Sequence, residues 1–209
     1  MTRRNRVDPW GDLHAVPERG LLTGNRGCLV DGAGTIVRHH RSATLWIACL
    51  TSYRAWNHPL DAPRVWTPLF FLDDAVALAA GHRPCATCRR ADYTSFRDAV
   101  SSDGPPLLAA DIDRRLVAER LRRGRGLSRA ADRPTWRAAV DELPDATVVV
   151  VDGGAHVLVG ASMRPFTFAG WGTRRDRRAT PTVDVLTPPT AVAALRGGFR
   201  PRLHPSATD

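Results

Sequence analysis

Between residues 20 and 72, apolar residues alternate with polar ones in short runs, and this pattern predicts the strands of a small antiparallel sheet. The strongest run is 44–51, in which Leu45, Ile47 and Cys49 fall on one face of the strand. Two other runs flank a glycine-containing turn at 31–34, which is typical of a hairpin. The predicted strands are 28–30, 35–37, 44–51 and 64–72.

The apolar residues change to a helical spacing after this sheet. Asp73 is a suitable N-cap for a short helix over 75–80, and Gly81 is placed to end it. Three further helices are predicted, one after Cys88 that includes residues 93–100, one from Asp111 and one from Pro134, and the last two residues each suit a helix start. The apolar faces of the predicted helices are Tyr93, Phe96 and Val100; then Ile112, Leu116 and Leu121; then Trp136, Val140 and Leu143.

The last third of the chain returns to strand patterns. The apolar run 147–151 is followed by a turn at Asp152-Gly153-Gly154 and by a partner strand at 155–159. Alternation at Phe166 and Phe168, and again at Val183 and Val185, indicates further strands. A final helix is predicted from 187 to 195, ended by Gly197-Gly198.

Composition and charge narrow the class of protein. The chain has 209 residues, 43% of them hydrophobic, so it can bury a core. It shows no signal-peptide pattern and no apolar run long enough for a bilayer, which predicts a cytoplasmic protein with no membrane partner. The net charge is +9, and all 30 basic residues are Arg. This charge favours DNA as a partner, although a GC-rich coding bias also enriches Arg, and the lack of Lys excludes lysine Schiff-base chemistry.

The four cysteines suggest a metal site. Cys85 and Cys88 are separated by two residues, so both thiolates can face one ion, and zinc then needs two more nitrogen or sulfur ligands. Cys49 and Cys28 are the remaining cysteines and are predicted to complete the site. Histidines are the alternative ligands, and a pair of free or redox-active cysteines is the alternative to a metal. The candidate histidines are His39, His40, His58 and His82.

The segment from Leu69 to Arg89 carries a family resemblance. It joins an edge strand and an alanine-rich helix to the turn Gly81-His82-Arg83-Pro84-Cys85-Ala86-Thr87-Cys88, and in this it resembles the metal-binding domain of the Ada-type DNA-alkylation-repair proteins. The resemblance implies a four-cysteine zinc site that binds DNA, with Cys85 and Cys88 as its downstream ligand pair. In that family one cysteine accepts a methyl group from a phosphotriester. The family places its upstream cysteines close together, whereas Cys28 and Cys49 are isolated here, so a structural zinc is favoured over methyl transfer.

These inferences combine into one expectation of fold and function. The fold class is α+β: a small antiparallel sheet with short helices around a zinc site, followed by a helical segment and a second β-rich region. The corresponding divisions are an Ada-like zinc-binding module at 1–100, a helical segment with a basic loop at 101–145, and a β-rich region at 146–209. The predicted function is a zinc protein that binds DNA, in damage repair.

Arginines near the turn and in two basic loops are the candidate DNA contacts, with Trp171 beside one loop to stack on a base. Solvated loops are the alternative interpretation. The predicted nucleic-acid-binding residues are Arg26, Arg83, Arg89, Arg90, Arg122, Arg123, Arg174 and Arg175.

Two other functions remain open from the sequence. One is a zinc-stabilised enzyme acting on a nucleotide or nucleic acid, with its site around Asn25, Arg26, His39 and His40. The other is a protein-interaction module with a structural zinc. Nucleobase deamination is disfavoured, because no His is followed two residues later by the Glu that shuttles protons in zinc deaminases.

Overall fold

The structure is a computed structural model that describes residues 3–31, 33, 35–38, 45–54, 66–101, 104–120 and 129–209. Within these ranges the chain forms two β-sheets and four α-helices, which confirms the predicted α+β class. None of the described helices is long and apolar enough to cross a membrane.

The first sheet has six strands in the order β2-β1-β5-β3-β4-β6. Within the predicted range, β3 pairs with β4 and with β5 in antiparallel fashion, which confirms the antiparallel strands expected between residues 20 and 72. The strands β1 and β6 lie outside that range and pair in parallel with β5 and β4, so the complete sheet is mixed. The parallel pairing of β6 with β4 is possible because a helix connects β5 to β6, and this crossover lets β6 run in the same direction as β5 and β4. The strands are β1 (Arg6–Val7), β2 (Leu13–His14), β3 (Leu22–Asn25), β4 (Ile47–Leu50), β5 (Leu69–Phe71) and β6 (Arg83–Pro84).

One face of this sheet is packed against the core and the other is more open. On β3, Leu22 and Gly24 are buried, whereas Thr23 and Asn25 are half-buried. Trp46, just before β4, and Ala48 on β4 face the core, while Cys49 lies with Ile47 on the open face, as the alternation predicted. In the described part of the hairpin predicted at 28–37, Val30 and Ile36 form an antiparallel bridge, and the Val37 amide donates to the Leu29 carbonyl.

The four helices are α1 (Asp74–Ala79), α2 (Arg90–Val100), α3 (Ala109–Arg120) and α4 (Pro189–Arg196). The Asp73 side chain caps α1 by accepting a hydrogen bond from the Val76 amide, as predicted. In α2 the buried face is Tyr93, Phe96 and Ala99. The α3 helix begins two residues before the predicted Asp111 and buries Ile112 and Leu116, whereas Leu121 lies outside the described residues.

The second sheet is antiparallel, in the order β11-β10-β9-β8-β13-β7, with β12 paired to β10. The helix predicted from Pro134 was wrong, because Trp136–Ala139 is β7 and only Val140–Glu142 forms a 3-10 turn. The strands are β7 (Trp136–Ala139), β8 (Val148–Val151), β9 (Gly154–Val159), β10 (Ser162–Thr167), β11 (Gly170–Trp171), β12 (Arg175–Asp176) and β13 (Thr182–Val185).

The main hydrophobic core joins the two sheets. It contains Phe71 from the first sheet, Leu78 from α1, Val148 and Val157 from the second sheet, and Leu195 from α4. This core runs across the divisions that the sequence suggested at residues 100 and 145.

Candidate metal centre

Backbone pairing brings the cysteine turn beside β4. The Arg83 amide donates to the carbonyl of Trp46, and the Cys85 amide donates to the carbonyl of Ala48 at 2.9 Å. Cys85 therefore lies next to Cys49 on the neighbouring strand. The chain then turns, with the Arg89 amide donating to the Cys85 carbonyl, and this turn returns Cys88 to the same place before α2 begins.

The sulfur atoms of Cys49, Cys85 and Cys88 all lie within 4.8 Å of one another. A zinc ion with Zn–S bonds of about 2.3 Å in tetrahedral geometry holds its sulfur ligands about 3.8 Å apart. The three sulfurs therefore have the chemistry and spacing of a metal-binding group. This is the only such group of His, Cys, Asp or Glu side chains that the described part of the chain contains.

The protonation of the three thiols fits the same interpretation. A hydrogen bond from Cys49 lowers the pKa of Cys85 to about 4, and the Cys88 and Thr87 amides reinforce this effect. A hydrogen bond from Cys49 also lowers the pKa of Cys88. The pKa of Cys49 itself is raised by its hydrogen bonds to the other two sulfurs and by burial. Three thiolates repel one another, so one proton stays in the group, and a divalent cation can take its place.

Cys28 does not belong to this group, which corrects the expected four-cysteine site. Cys49 on β4 is paired with Thr23, near the start of β3. Cys28 follows Thr23 by five residues and lies beyond the other end of β3, where Asn25 is paired with Ile47. Its sulfur faces the carbonyl of Val30 at 3.6 Å.

Two buried ion pairs hold the strand and the turn that carry Cys85 and Cys88. Arg83 binds both carboxylate oxygens of Asp113 on α3 at 2.8 Å. Arg89 binds both carboxylate oxygens of Asp74 on α1, at 2.6 and 2.7 Å. Bidentate pairs of this kind fix orientation as well as position. Arg83 and Arg89 are buried and therefore act as internal supports of the site, and their predicted contact with DNA gains no support from this arrangement.

The other predicted arginines fall into three groups. Arg26 is fully buried, with its guanidinium over the Trp46 ring and a hydrogen bond to the Gly11 carbonyl, so its expected contact with DNA gains no support either. Burial, with Arg129 nearby, lowers the pKa of Arg26 to about 9, so it still carries charge at neutral pH. The exposed candidates are Arg90, Arg174 and Arg175, whereas Arg122 and Arg123 lie outside the described residues.

Trp171, predicted to stack on a base, is instead buried, and its indole N–H donates to Asp73. This hydrogen bond joins the second sheet to the N-terminus of α1.

The alternative histidine ligands do not join the cysteines in the described part of the chain. His82 is buried between the rings of Trp46 and Phe71. Burial, together with Arg26 and other nearby arginines, lowers its pKa well below the usual value, so it is neutral. The structure describes none of His39, His40 and His58.

A cavity of about 690 Å³ lies on the open face of the first sheet, and all three clustered cysteines line it. Its other walls include Phe70 from β5 and the flanking aromatic residues Tyr53 and Trp66. Asn25 also lines this cavity, while the adjacent Arg26 points into the core, so the two are separated by the sheet. The sequence does not reveal this cavity, although the alternation on β3 and β4 indicates which side chains share a face.

Comparison of the chain with protein-family models, with curated proteins and with solved structures found no match. The resemblance of residues 69–90 to the Ada-type metal-binding domain therefore stays a prediction that depends on the motif alone.

Proposed function

We propose that the protein binds one zinc ion through Cys49, Cys85 and Cys88, and that the surface around this centre contacts DNA. The observation that carries the proposal is the group of three cysteine sulfurs, within 4.8 Å of one another, on the wall of a cavity. Zinc bound there would keep all three sulfurs as thiolates. Three protein ligands with access to a cavity are typical of zinc sites that leave a fourth position for solvent or substrate.

Charge supports the DNA part of the proposal. The chain carries a net charge of +9. Arg90 is exposed two residues after Cys88, at the first position of α2, so a phosphate near the metal centre could reach it. Contacts of this type position a nucleic acid without reading its sequence.

Replacing each cysteine in turn tests the metal site, with Cys28→Ser as the matched control. The wild-type protein and Cys28→Ser should each carry about one zinc per chain when purified without added metal. Cys49→Ser, Cys85→Ser and Cys88→Ser should each lose most of it, because each removes a ligand. Elemental analysis measures the zinc content of each protein. The proposal would be contradicted if the wild type carried no metal, or if Cys28→Ser were the one variant that lost it.

Salt dependence tests the DNA contact. The affinity for a short duplex should fall steeply as salt rises, because binding releases counterions from the phosphates. Arg90→Ala should weaken binding and reduce the slope of log affinity against log salt by about one. Arg137→Ala, an exposed change on β7 in the second sheet, is the control and should leave the slope unchanged. Affinity that does not depend on salt would argue against DNA as the partner.

Methyl acceptance is a second candidate, because the three cysteines line a cavity and are not sealed in the core. In that reaction a thiolate attacks the methyl carbon of a phosphotriester, a carbon–sulfur bond forms, and the carbon–oxygen bond breaks to leave a phosphodiester anion. Intact mass measurement after incubation with methylphosphotriester DNA decides the matter. A gain of one methyl group on Cys49, Cys85 or Cys88 supports a reactive centre, and an unchanged mass supports a structural one.

A further inference from the structure

The open face of the first sheet carries a row of side chains that ends at the metal centre. Thr23 pairs with Cys49 on one side and with Phe70 on the other, so the three side chains lie at the same level on one face. Neighbouring strands are about 4.8 Å apart, which places Phe70 about 10 Å from Cys49 across the sheet. A planar ligand lying on Phe70 would thus extend toward the three cysteines.

Three aromatic residues line the cavity around this row. Phe70 is half-buried between the buried Leu69 and Phe71, so its ring is presented on the open face of β5. Tyr53 and Trp66 line the same cavity. The volume of about 690 Å³ lies in the range of small-molecule sites and is large enough for a nucleotide.

The charge around the row favours an anionic ligand. Arg19 is exposed, lines the cavity, and has its guanidinium carbon 6.0 Å from the centre of the Phe70 ring. Arg6 also lies near this ring, with its guanidinium carbon 5.0 Å from the ring centre, but it is buried and donates to the Glu18 carbonyl, so Arg19 is the arginine that lines the cavity. Among the described residues that line the cavity, none is acidic. Aromatic rings beside arginines are the combination by which proteins hold an unpaired base and its phosphate.

We propose that this face binds a nucleobase together with its attached phosphate: the base stacks on Phe70, the phosphate contacts Arg19, and the far edge of the base points toward Cys49, Cys85 and Cys88. This deepens the proposed function, since it names the part of the nucleic acid that reaches the metal centre. The base is unpaired, because a base within a duplex has no free face to place on the sheet. Its source is a single strand or a free nucleotide.

The test determines the zinc content of the purified protein and measures its binding to three probes: a labelled deca-thymidylate, thymidine monophosphate and a ten-base-pair duplex. Phe70→Leu should weaken binding of the single strand about tenfold or more, because it removes a stacking ring. Phe70→Tyr keeps the ring and should bind as the wild type does. Arg19→Ala should weaken binding of the single strand and of the nucleotide, and Arg137→Ala is the matched control for charge.

The outcomes separate this inference from the proposed function. Tighter binding of the single strand than of the nucleotide identifies a strand as the source, and equal affinities identify a free nucleotide. If Phe70→Leu and Phe70→Tyr bind the single strand equally well, the inference is wrong. If the protein binds only the duplex, the inference is also wrong, but the proposed contact with DNA is still supported. A protein that binds the single strand through Phe70 but contains no zinc overturns the metal proposal and leaves the stacking site.

Discussion

Arg89 contacts two carboxylates that differ greatly in exposure, and this contrast gives a direct test of what supports the cysteine turn. The Asp74 side chain is 1% exposed and the Asp92 side chain is 46% exposed. Asp74→Ala should destabilise the protein by about 3–5 kcal/mol, because it leaves the Arg89 charge buried without its main partner. Asp92→Ala should cost no more than about 1 kcal/mol. Chemical denaturation measures both, and equal effects would contradict this role for Asp74.

The buried His82 predicts a dependence of stability on pH. Its pKa is depressed by burial and by the charges of Arg26, Arg120 and Arg133, so the folded protein binds the proton less readily than the unfolded chain does. The unfolded state therefore holds more protons below pH 6.5, and stability is lost as the pH falls from there toward the folded pKa.

Replacement by Phe isolates this contribution, since the ring still packs between Trp46 and Phe71. The difference in unfolding free energy between the wild type and His82→Phe should change by up to about 1.4 kcal/mol per pH unit below pH 6.5, to the disadvantage of the wild type. Both proteins keep the three cysteines, so the effect of acid on the metal cancels. A difference that stays constant between pH 7 and pH 5 would show that His82 becomes protonated without cost.

At the scale of elements, the sequence predicted those structures whose signals are local. The α1 helix and its ends follow from Asp73 and Gly81, and the β8–β9 hairpin follows from the turn at Asp152-Gly153. The spacing of Cys85 and Cys88 predicted two members of the three-cysteine group, and alternation along β4 predicted that Cys49 lies on the open face. In each case the structure is determined by residues that are close together in the sequence.

The rest depends on contacts between residues far apart in sequence. Trp136, Ala138 and Val140 fit a strand period, while Trp136 and Val140 also fit a helical one, and pairing with β13 decides for the strand. Two-residue strands such as β6 are too short to show any period. The partner of Arg83 is 30 residues away on α3, and no local pattern predicts such a pair.

The end of α1 gives the prediction at this scale. Gly81 has φ of +84°, and a Cβ built on it would lie 2.5 Å from Cδ of Arg120. Gly81→Ala should therefore cost about 2–4 kcal/mol, from the left-handed backbone and from displacing Arg120. Gly153 has φ of +74°, but a Cβ there meets nothing within 4 Å, so Gly153→Ala should cost only about 1–2 kcal/mol. Thermal denaturation of the two variants compares them, and equal losses would mean that Arg120 moves aside without cost.

At the scale of the whole molecule, hydrogen bonds and packing connect the two sheets through the helices. Asp73 accepts from the Trp171 indole and from the His204 amide, and so holds both the second sheet and the C-terminal segment against α1. Glu119 on α3 accepts from the Thr190 amide and hydroxyl on α4. The C-terminal half of the chain therefore contributes to the framework that supports the three-cysteine group.

This framework predicts that the protein unfolds as one cooperative unit. The core that contains Phe71 and Leu78 also contains Val148 and Val157, so loss of the first sheet exposes apolar surface of the second. If the three cysteines bind zinc as proposed, removing it with a chelator should lower the midpoint of the whole transition, because the metal would bind only the folded state. Hydrogen exchange followed by mass spectrometry should then show peptides from 69–80 and from 147–159 losing protection together. Two transitions with different midpoints, or loss of protection confined to 69–80, would instead indicate that the divisions suggested at residues 100 and 145 separate independent domains.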